Sequence, residues 1–285
     1  MKQNSDGMVS NRGWGLWLTH AVMIVGVLIV FFPLWLAFVA STVTQPEIVS
    51  PPMPVWPGEY FWENYKRALF AGVNVPVSTM LLNSLIMAIG IAVGKIVISL
   101  LSAFAIVYFR FPMRMLCFWM IFVTLMLPVE VRIIPTFEVV ANLGLLNSYA
   151  GLSIPLIASA TATFLFRQVF MTIPGELVES ARIDGASPMR FFIDFLIPLS
   201  RTNIAALFVI LFIYGWNQYL WPLIITTDQA NYTIVMSMKQ MLEAAEQSPE
   251  WNIIMMTALM AMLPPVLVVV LMQKLFVKGL VESEK

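Results

Sequence analysis

Three ionisable side chains sit where a membrane-crossing chain would avoid them. Lys95 follows Gly90-Ile91-Ala92-Val93-Gly94 inside a long apolar run. Glu130 and Arg132 close another such run at Pro128-Val129-Glu130-Val131-Arg132. A charge within a span is costly and marks either a solute pathway or a buried ion pair. For Lys95 the alternative is a side chain that snorkels to the interface. Glu130 and Arg132 are two residues apart, so on a helix they do not share a face and do not pair directly. The alternative for them is charge at the head groups. Pro128 and Pro135 bracket the segment, and a helix broken at depth is tolerated where it lines a cavity or is buried in protein. A further cluster, Trp216, Asn217 and Gln218, flanked by Tyr214 and Tyr219, combines amides with aromatic rings. Such a set can hold a hydroxylated solute, or simply bond one helix to another.

Catalytic patterns are missing from the sequence: there is no H-E-x-x-H, G-x-S-x-G or C-x-x-C. The run Gly90 to Lys95 imitates a phosphate-binding loop, but it is one residue short. It also lacks the closing Ser or Thr and has no strand before it. Gly90 and Gly94 read better as a small-xxx-small face for a close helix. The single Cys117 excludes an internal disulfide, and with His20 as the only histidine no transition-metal site is expected.

The elements that must position these residues are apolar helices. The chain has 285 residues, 60% of them hydrophobic and 11% charged, where a soluble domain carries roughly 25% charged. At about 20 residues per crossing, segments near 14–40, 77–108, 114–134, 150–171, 203–226 and 252–276 qualify. The expected fold is therefore all-α and integral to the membrane, with six transmembrane helices. The first run is too long for a signal peptide and reads as an uncleaved span. Eleven of the sixteen basic residues fall on the side of the N-terminus, which places both termini in the cytoplasm. The expected organisation is a cytoplasmic 1–13, a six-helix domain over 14–276 and a cytoplasmic tail over 277–285. Net charge is zero, and no nucleic-acid face is expected.

Three connections are long. The outer loop 41–76 is proline-rich, then aromatic over 59–69 (Tyr60, Phe61, Trp62, Tyr65). It suggests an extended piece followed by an interfacial helix, as an aromatic belt or as a docking surface. The outer loop 227–251 reads as a solvated helix. The inner loop 172–202 is the most structured. Pro174 suits a first helical turn and Gly185 a left-handed residue past the helix end. Leu177, Val178 and Ala181 share one face, Glu176, Glu179 and Arg182 another. Ser187-Pro188 caps a second helix, which Pro198 ends. The result is a helix–turn–helix on the inner membrane face, shaped to fit another protein.

This loop resembles the EAA loop of permease subunits of bacterial ABC importers. Glu179-Ser180-Ala181, Gly185 and Pro198 keep its spacing, with Ser180, Phe195 and Ile197 departing conservatively from Ala, Ile and Leu. The stretches 182–188, 215–222 and 276–280 are similar to the carbohydrate-uptake branch of that family. The stretches 118–136 and 279–285 are similar to its members that import sn-glycerol-3-phosphate. The resemblance implies a type I importer permease in the bacterial inner membrane. Glu179, Ser180, Ala181, Asp184, Gly185 and Pro198 would fit a groove on a cytoplasmic ATPase subunit. It implies a homologous second permease subunit, two ATP-binding subunits carrying ATP and Mg, and a periplasmic substrate-binding protein. It further implies that this chain holds no cofactor and is not itself an enzyme. The implied substrate is sn-glycerol-3-phosphate or a glycerophosphodiester, with another sugar or polyol as the alternative. For an anionic phosphate, Lys95 and Arg132 would be the basic groups along the path. An ion-gradient transporter is the competing reading, but it calls for inverted repeats and intramembrane acids. Glu130 is the one candidate acid, and no repeat is evident.

Overall fold

Apolar runs of this length satisfy their backbone polar groups only as helix, and helix is what the chain forms. In the computed structural model, residues 14–73, 75–124, 129–244 and 250–282 are described. Among them fifteen α-helices follow in order: α1 Trp14–Ser41, α2 Gln45–Val49, α3 Phe61–Phe70, α4 Val77–Tyr108, α5 Arg114–Val123, α6 Val129–Asn142, α7 Tyr149–Ser153, α8 Ala160–Met171, α9 Gly175–Ile183, α10 Pro188–Phe191, α11 Ile197–Leu199, α12 Arg201–Trp216, α13 Leu220–Ile225, α14 Ile234–Ala244 and α15 Trp251–Glu282. Among the described residues there is no strand.

The long helix α4 is the axis of the molecule. Met80, Met87, Ile91, Ser99 and Ala103 recur at helical spacing and are buried; α4 packs chiefly on α8 and α12, while Met87 and Ile91 join Leu152, Trp221 and Ile225 in a second cluster. Leu82, Ile89, Val93 and Val97 occupy the opposite face and are exposed although apolar. A helix apolar on every side, with one side left uncovered, fits lipid or another membrane helix. Helix α15 packs on α12 and α1. Helix α1 is exposed along most of its length and is buried only at Val39, Ala40 and Ser41.

Three of the expected spans are single helices: α1, α4 and α15, which begin within a residue of 14, 77 and 252. Two of the others are broken, and the third runs through residues outside those described. The expected span over 150–171 is α7, a 3-10 turn Ile154–Leu156 and α8, bent by 52°. Pro155 lies in that turn and has no N–H to continue a helix, while the Ser159 hydroxyl accepts the Ala162 N–H at 3.3 Å and starts a new one. The span over 203–226 divides into α12 and α13, and α12 meets the segment Pro188–Leu199 at 74°. The span over 114–134 ends as α5 at Val123, and α6 runs on to Asn142 with Pro135 inside it. Pro128, between them, lies outside the described residues, as does the N-terminal segment 1–13. Among the described residues, then, there are three unbroken apolar helices long enough to cross a membrane, or five spans if each bent pair is one.

Side-chain amides pin two of the long connections. The Asn64 amide of α3 donates to the Ser41 and Val43 carbonyls, each at 3.0 Å, and its oxygen accepts from Asn252 of α15 at 2.9 Å. Asn83 of α4 donates to the Ala230 and Tyr232 carbonyls at 2.8 and 2.9 Å and accepts the Tyr149 hydroxyl at 2.7 Å. The aromatic residues of α3 largely pack on one another: Phe61 stacks on Tyr65 with centroids 6.3 Å apart, and Trp62 meets Tyr65 edge-on at 5.9 Å.

Candidate functional site

Two regions carry the residues singled out by the sequence. The first is the loop between α8 and α12. Helix α9 is capped by Pro174, which stands just before it rather than in its first turn. Glu176 lies in the first turn and Arg182 in the last, each of the sign that the helix dipole favours. Its C-terminus closes as a Schellman motif: Ala186 N–H donates to the Ala181 carbonyl at 2.9 Å and Gly185 N–H to the Arg182 carbonyl at 3.0 Å. Gly185 takes φ +72°, as its position demands. Ser187 then caps α10 by accepting the Arg190 N–H at 3.3 Å, with Pro188 at the first position.

Between α10 and α11 the residues Phe192–Leu196 form a π-turn. Pro198 follows after Ile197, and because it cannot donate back to Asp194, a widened turn relieves the mismatch. The chain bends at Ser200, two residues after Pro198. The loop is bolted to the end of α4 by rings: Phe192 lies 4.9 Å from Phe104, and Phe191 meets Tyr108 edge-on at 5.5 Å. A cavity of about 650 Å³ opens between this platform and Val178, Ala181, Arg182 and Ala186.

The faces of α9 are now assigned. Ala181 is buried and Val178 half-buried, both directed into the chain's own core, so Ala181 anchors the loop rather than presenting itself outward. Leu177, expected beside them, is exposed. Glu179, Ser180 and Asp184 are exposed, and Pro198 is exposed on the second helix. The outward surface also carries large apolar side chains that the sequence reading missed: Ile183, 86% exposed, with Met189 and Ile193. The available signal was Ile183 breaking the Val178–Ala181 stripe at the end of α9.

The second region is a cavity of about 380 Å³ where α4, α6, α12 and the α7–α8 break meet. Lys95, near the middle of α4, lines it and is only 7% exposed. Its Nζ sits 3.8 Å from the centre of the Tyr214 ring, a cation–π contact. Arg132, in the first turn of α6, lines the same space, as do Ser102, Thr161 and Thr163. Thr163 is tied to the break by its hydroxyl, which donates to the Ser159 carbonyl at 2.9 Å. The structure therefore joins Lys95 and Arg132, which lie 37 positions apart in the chain. The side chain of Glu130 lies outside the described residues.

Of the polar-aromatic cluster Tyr214 joins them, and Trp216, Asn217 and Gln218 do not. Trp216 is buried and its indole donates to the Ala261 carbonyl at 3.2 Å, fastening α12 to α15. Gln218, just past the end of α12, donates to the Tyr214 carbonyl at 3.1 Å. Asn217 is exposed and lines, with Trp216, a different cavity of about 820 Å³ against α14 and α15. Gly90 and Gly94 do form a close-packing face. A Cβ on Gly94 would fall 2.5 Å from Cγ2 of Ile157, in the break.

Against this geometry, comparison with known proteins gives a consistent answer. Residues 7–282 match the family described as "Binding-protein-dependent transport system inner membrane component". The sn-glycerol-3-phosphate transport system permease protein UgpE of Brucella melitensis is 58% identical over 282 residues, covering 98% of this chain and 100% of that protein. Its namesakes in Rhizobium meliloti and Escherichia coli O6:K15:H31 are 59% and 58% identical with the same coverage. Among solved structures, a chain of a bacterial ABC transporter involved in the import of the acidic polysaccharide alginate superposes with a TM-score of 0.79 at 20% identity. The match covers 94% of this chain and 99% of that one, and it shows the shared fold.

Proposed function

Because the chain belongs to the binding-protein-dependent transport system inner membrane components, we propose that it is a permease subunit of an ATP-driven importer of sn-glycerol-3-phosphate or glycerophosphodiesters. The observation that carries the substrate is the near-complete match, at 57–59% identity, to permeases named for sn-glycerol-3-phosphate transport. In this reading the chain crosses the bacterial inner membrane six times, counting its bent and divided spans, with both termini inside. It forms half of the pathway beside a homologous second permease. Two cytoplasmic subunits bind ATP and Mg, and a soluble protein delivers solute from outside. The permease itself performs no chemistry.

The α9–α10 platform is the coupling element. Glu179, Ser180 and Asp184, with Ile183 and Met189, face the ATPase, while Ala181, Phe191 and Phe192 hold the platform to α4. Gly185 and Pro198 set its two bends. Closure of the ATPase subunits then moves a packed, bistable unit rather than a loose loop. Co-purification tests this. The tagged wild-type chain is expected to bring down an ATPase subunit, and Glu179→Ala or Gly185→Pro to weaken or uncouple that association. No ATPase, even after crosslinking, would remove the reading.

A further inference from the structure

We infer that the cavity between α4, α6, α8 and α12 is a binding site for a phosphate monoester, the anionic end of the transported solute, with Lys95 and Arg132 as its charged ligands. The inference rests on the proposed substrate and assigns it a place in this chain.

Two cations line one small space. Lys95 is buried at 7% exposure, and no acidic residue lines the cavity among the described residues. Among the described residues neither Lys95 nor Arg132 has an ion-pair partner. Lys95 is thus a buried ammonium held beside the exposed guanidinium of Arg132, and a buried charge of this kind in a membrane protein marks a functional site. A phosphate monoester carries about −1.5 to −2 charge at pH 7 and three acceptor oxygens, which answers both cations at once.

The break before α8 adds a third contribution. Ser159 caps that twelve-residue helix, and Ala160 and Thr161 of its first turn line the cavity. First-turn N–H groups have no partner within a helix, and the dipole there favours an anion. A helix divided in mid-span, with its N-terminal end turned to the solute, is a device for anionic substrates. The ring of Tyr214 holds the Lys95 ammonium against the wall without neutralising it.

The test is uptake of radiolabelled sn-glycerol-3-phosphate by the complete importer, with its binding protein and ATPase, in phosphatidylcholine vesicles. Lys95→Gln and Arg132→Gln are each expected to lower uptake at limiting substrate about tenfold or more, as for loss of one charge-assisted hydrogen bond. Both should assemble in normal amounts by co-purification, and Lys95→Arg should retain most of the uptake. Wild-type uptake in both Gln variants overturns the site. So does recovery of uptake in Lys95→Gln/Glu130→Gln, which would make Lys95 the partner of Glu130 instead. Thermal unfolding of the binding-protein-free complex with inorganic phosphate supplies a second reading: phosphate should stabilise the wild type and neither Gln variant. If phosphatidic acid in the vesicles gives that stabilisation and soluble phosphate does not, the occupant is a lipid head group and the inference fails. Should the wild type import no sn-glycerol-3-phosphate, the substrate reading falls, and the phosphate melt alone then decides whether the site exists.

Discussion

Gly185 holds φ +72° at the end of α9, and a Cβ built there would meet nothing within 4 Å. Space is therefore not its constraint; backbone conformation is. Gly185→Ala should cost about 1–2 kcal/mol at this turn, and Gly185→Asn less, since Asn tolerates the left-handed region. Limited proteolysis of the 175–199 segment in the purified importer would rank wild type, Asn and Ala in that order; equal cutting of all three would refute it. A second residue-scale case is Glu47. The Thr44 N–H, at 2.7 Å, and then its hydroxyl, at 2.9 Å, donate to the Glu47 carboxylate and hold its pKa below the usual carboxylate value. The folded value is the lower one, so this cap contributes above the ordinary carboxylate range and is lost as pH falls through the depressed value. Hydrogen exchange at the Thr44 amide should accelerate over that acidic window, and Glu47→Gln should abolish the pH dependence. Both features were open to sequence reasoning in principle. Gly185 was legible because a glycine eleven residues after Pro174 ends a helix of ordinary length. The Thr44–Glu47 cap was hidden in a proline-rich stretch that reads as extended.

At the scale of elements, the sequence shows where chain is apolar better than where it bends. Hydropathy locates α1, α4 and α15 closely because each runs on as one helix, even through Pro33 of α1 and Pro264 and Pro265 of α15. It merges α7 with α8, since Pro155 and Ser159 stand among residues as apolar as any span. Yet the partner of that break was legible on α4: Gly90 and Gly94 mark a face stripped of side chains, and the break lies against it. A Cβ on Gly90 would lie 3.0 Å from Oγ of Ser153, and one on Gly94 2.5 Å from Cγ2 and 3.0 Å from Cβ of Ile157. Ile157 is β-branched and cannot swing that methyl away cheaply. Gly94→Ala should therefore displace the break at a cost of about 1–3 kcal/mol. Because the break forms one wall of the Lys95 cavity, uptake should fall as well. Ile157→Ala in the same chain removes the nearer atom and should restore part of both losses. If the double variant is no better than Gly94→Ala, the two residues do not meet as described.

The whole molecule joins the two regions through α4. At about 1.5 Å per residue, this unbroken 32-residue helix is long enough to run from the α9–α10 platform past the Lys95 cavity. Phe104 and Tyr108 at its end take the rings of Phe192 and Phe191, and the Tyr108 hydroxyl donates to the Phe170 carbonyl of α8 at 3.2 Å. Lys95 rides on the same helix, and the wall facing it belongs to α8. Displacement of the platform thus reaches both sides of the cavity through packed rings and one hydrogen bond. This linkage was not legible in the sequence. The Phe-rich stretch 191–195 reads only as apolar, and the face that α1 and α4 leave uncovered reads the same whether lipid or a second permease covers it, since lipid and helix side chains are equally apolar. The linkage makes a separable prediction. Phe192→Leu keeps the buried volume roughly filled but removes a ring contact of about 0.5–1.5 kcal/mol. The ATPase should still co-purify and hydrolyse ATP, while solute imported per ATP falls severalfold. Ile193→Ala, one residue on and 53% exposed, faces away from α4 and should leave that ratio unchanged even if it weakens ATPase binding. If the two substitutions instead change the ratio equally, force does not pass through the Phe192–Phe104 contact, and the route from loop to cavity lies elsewhere in the bundle.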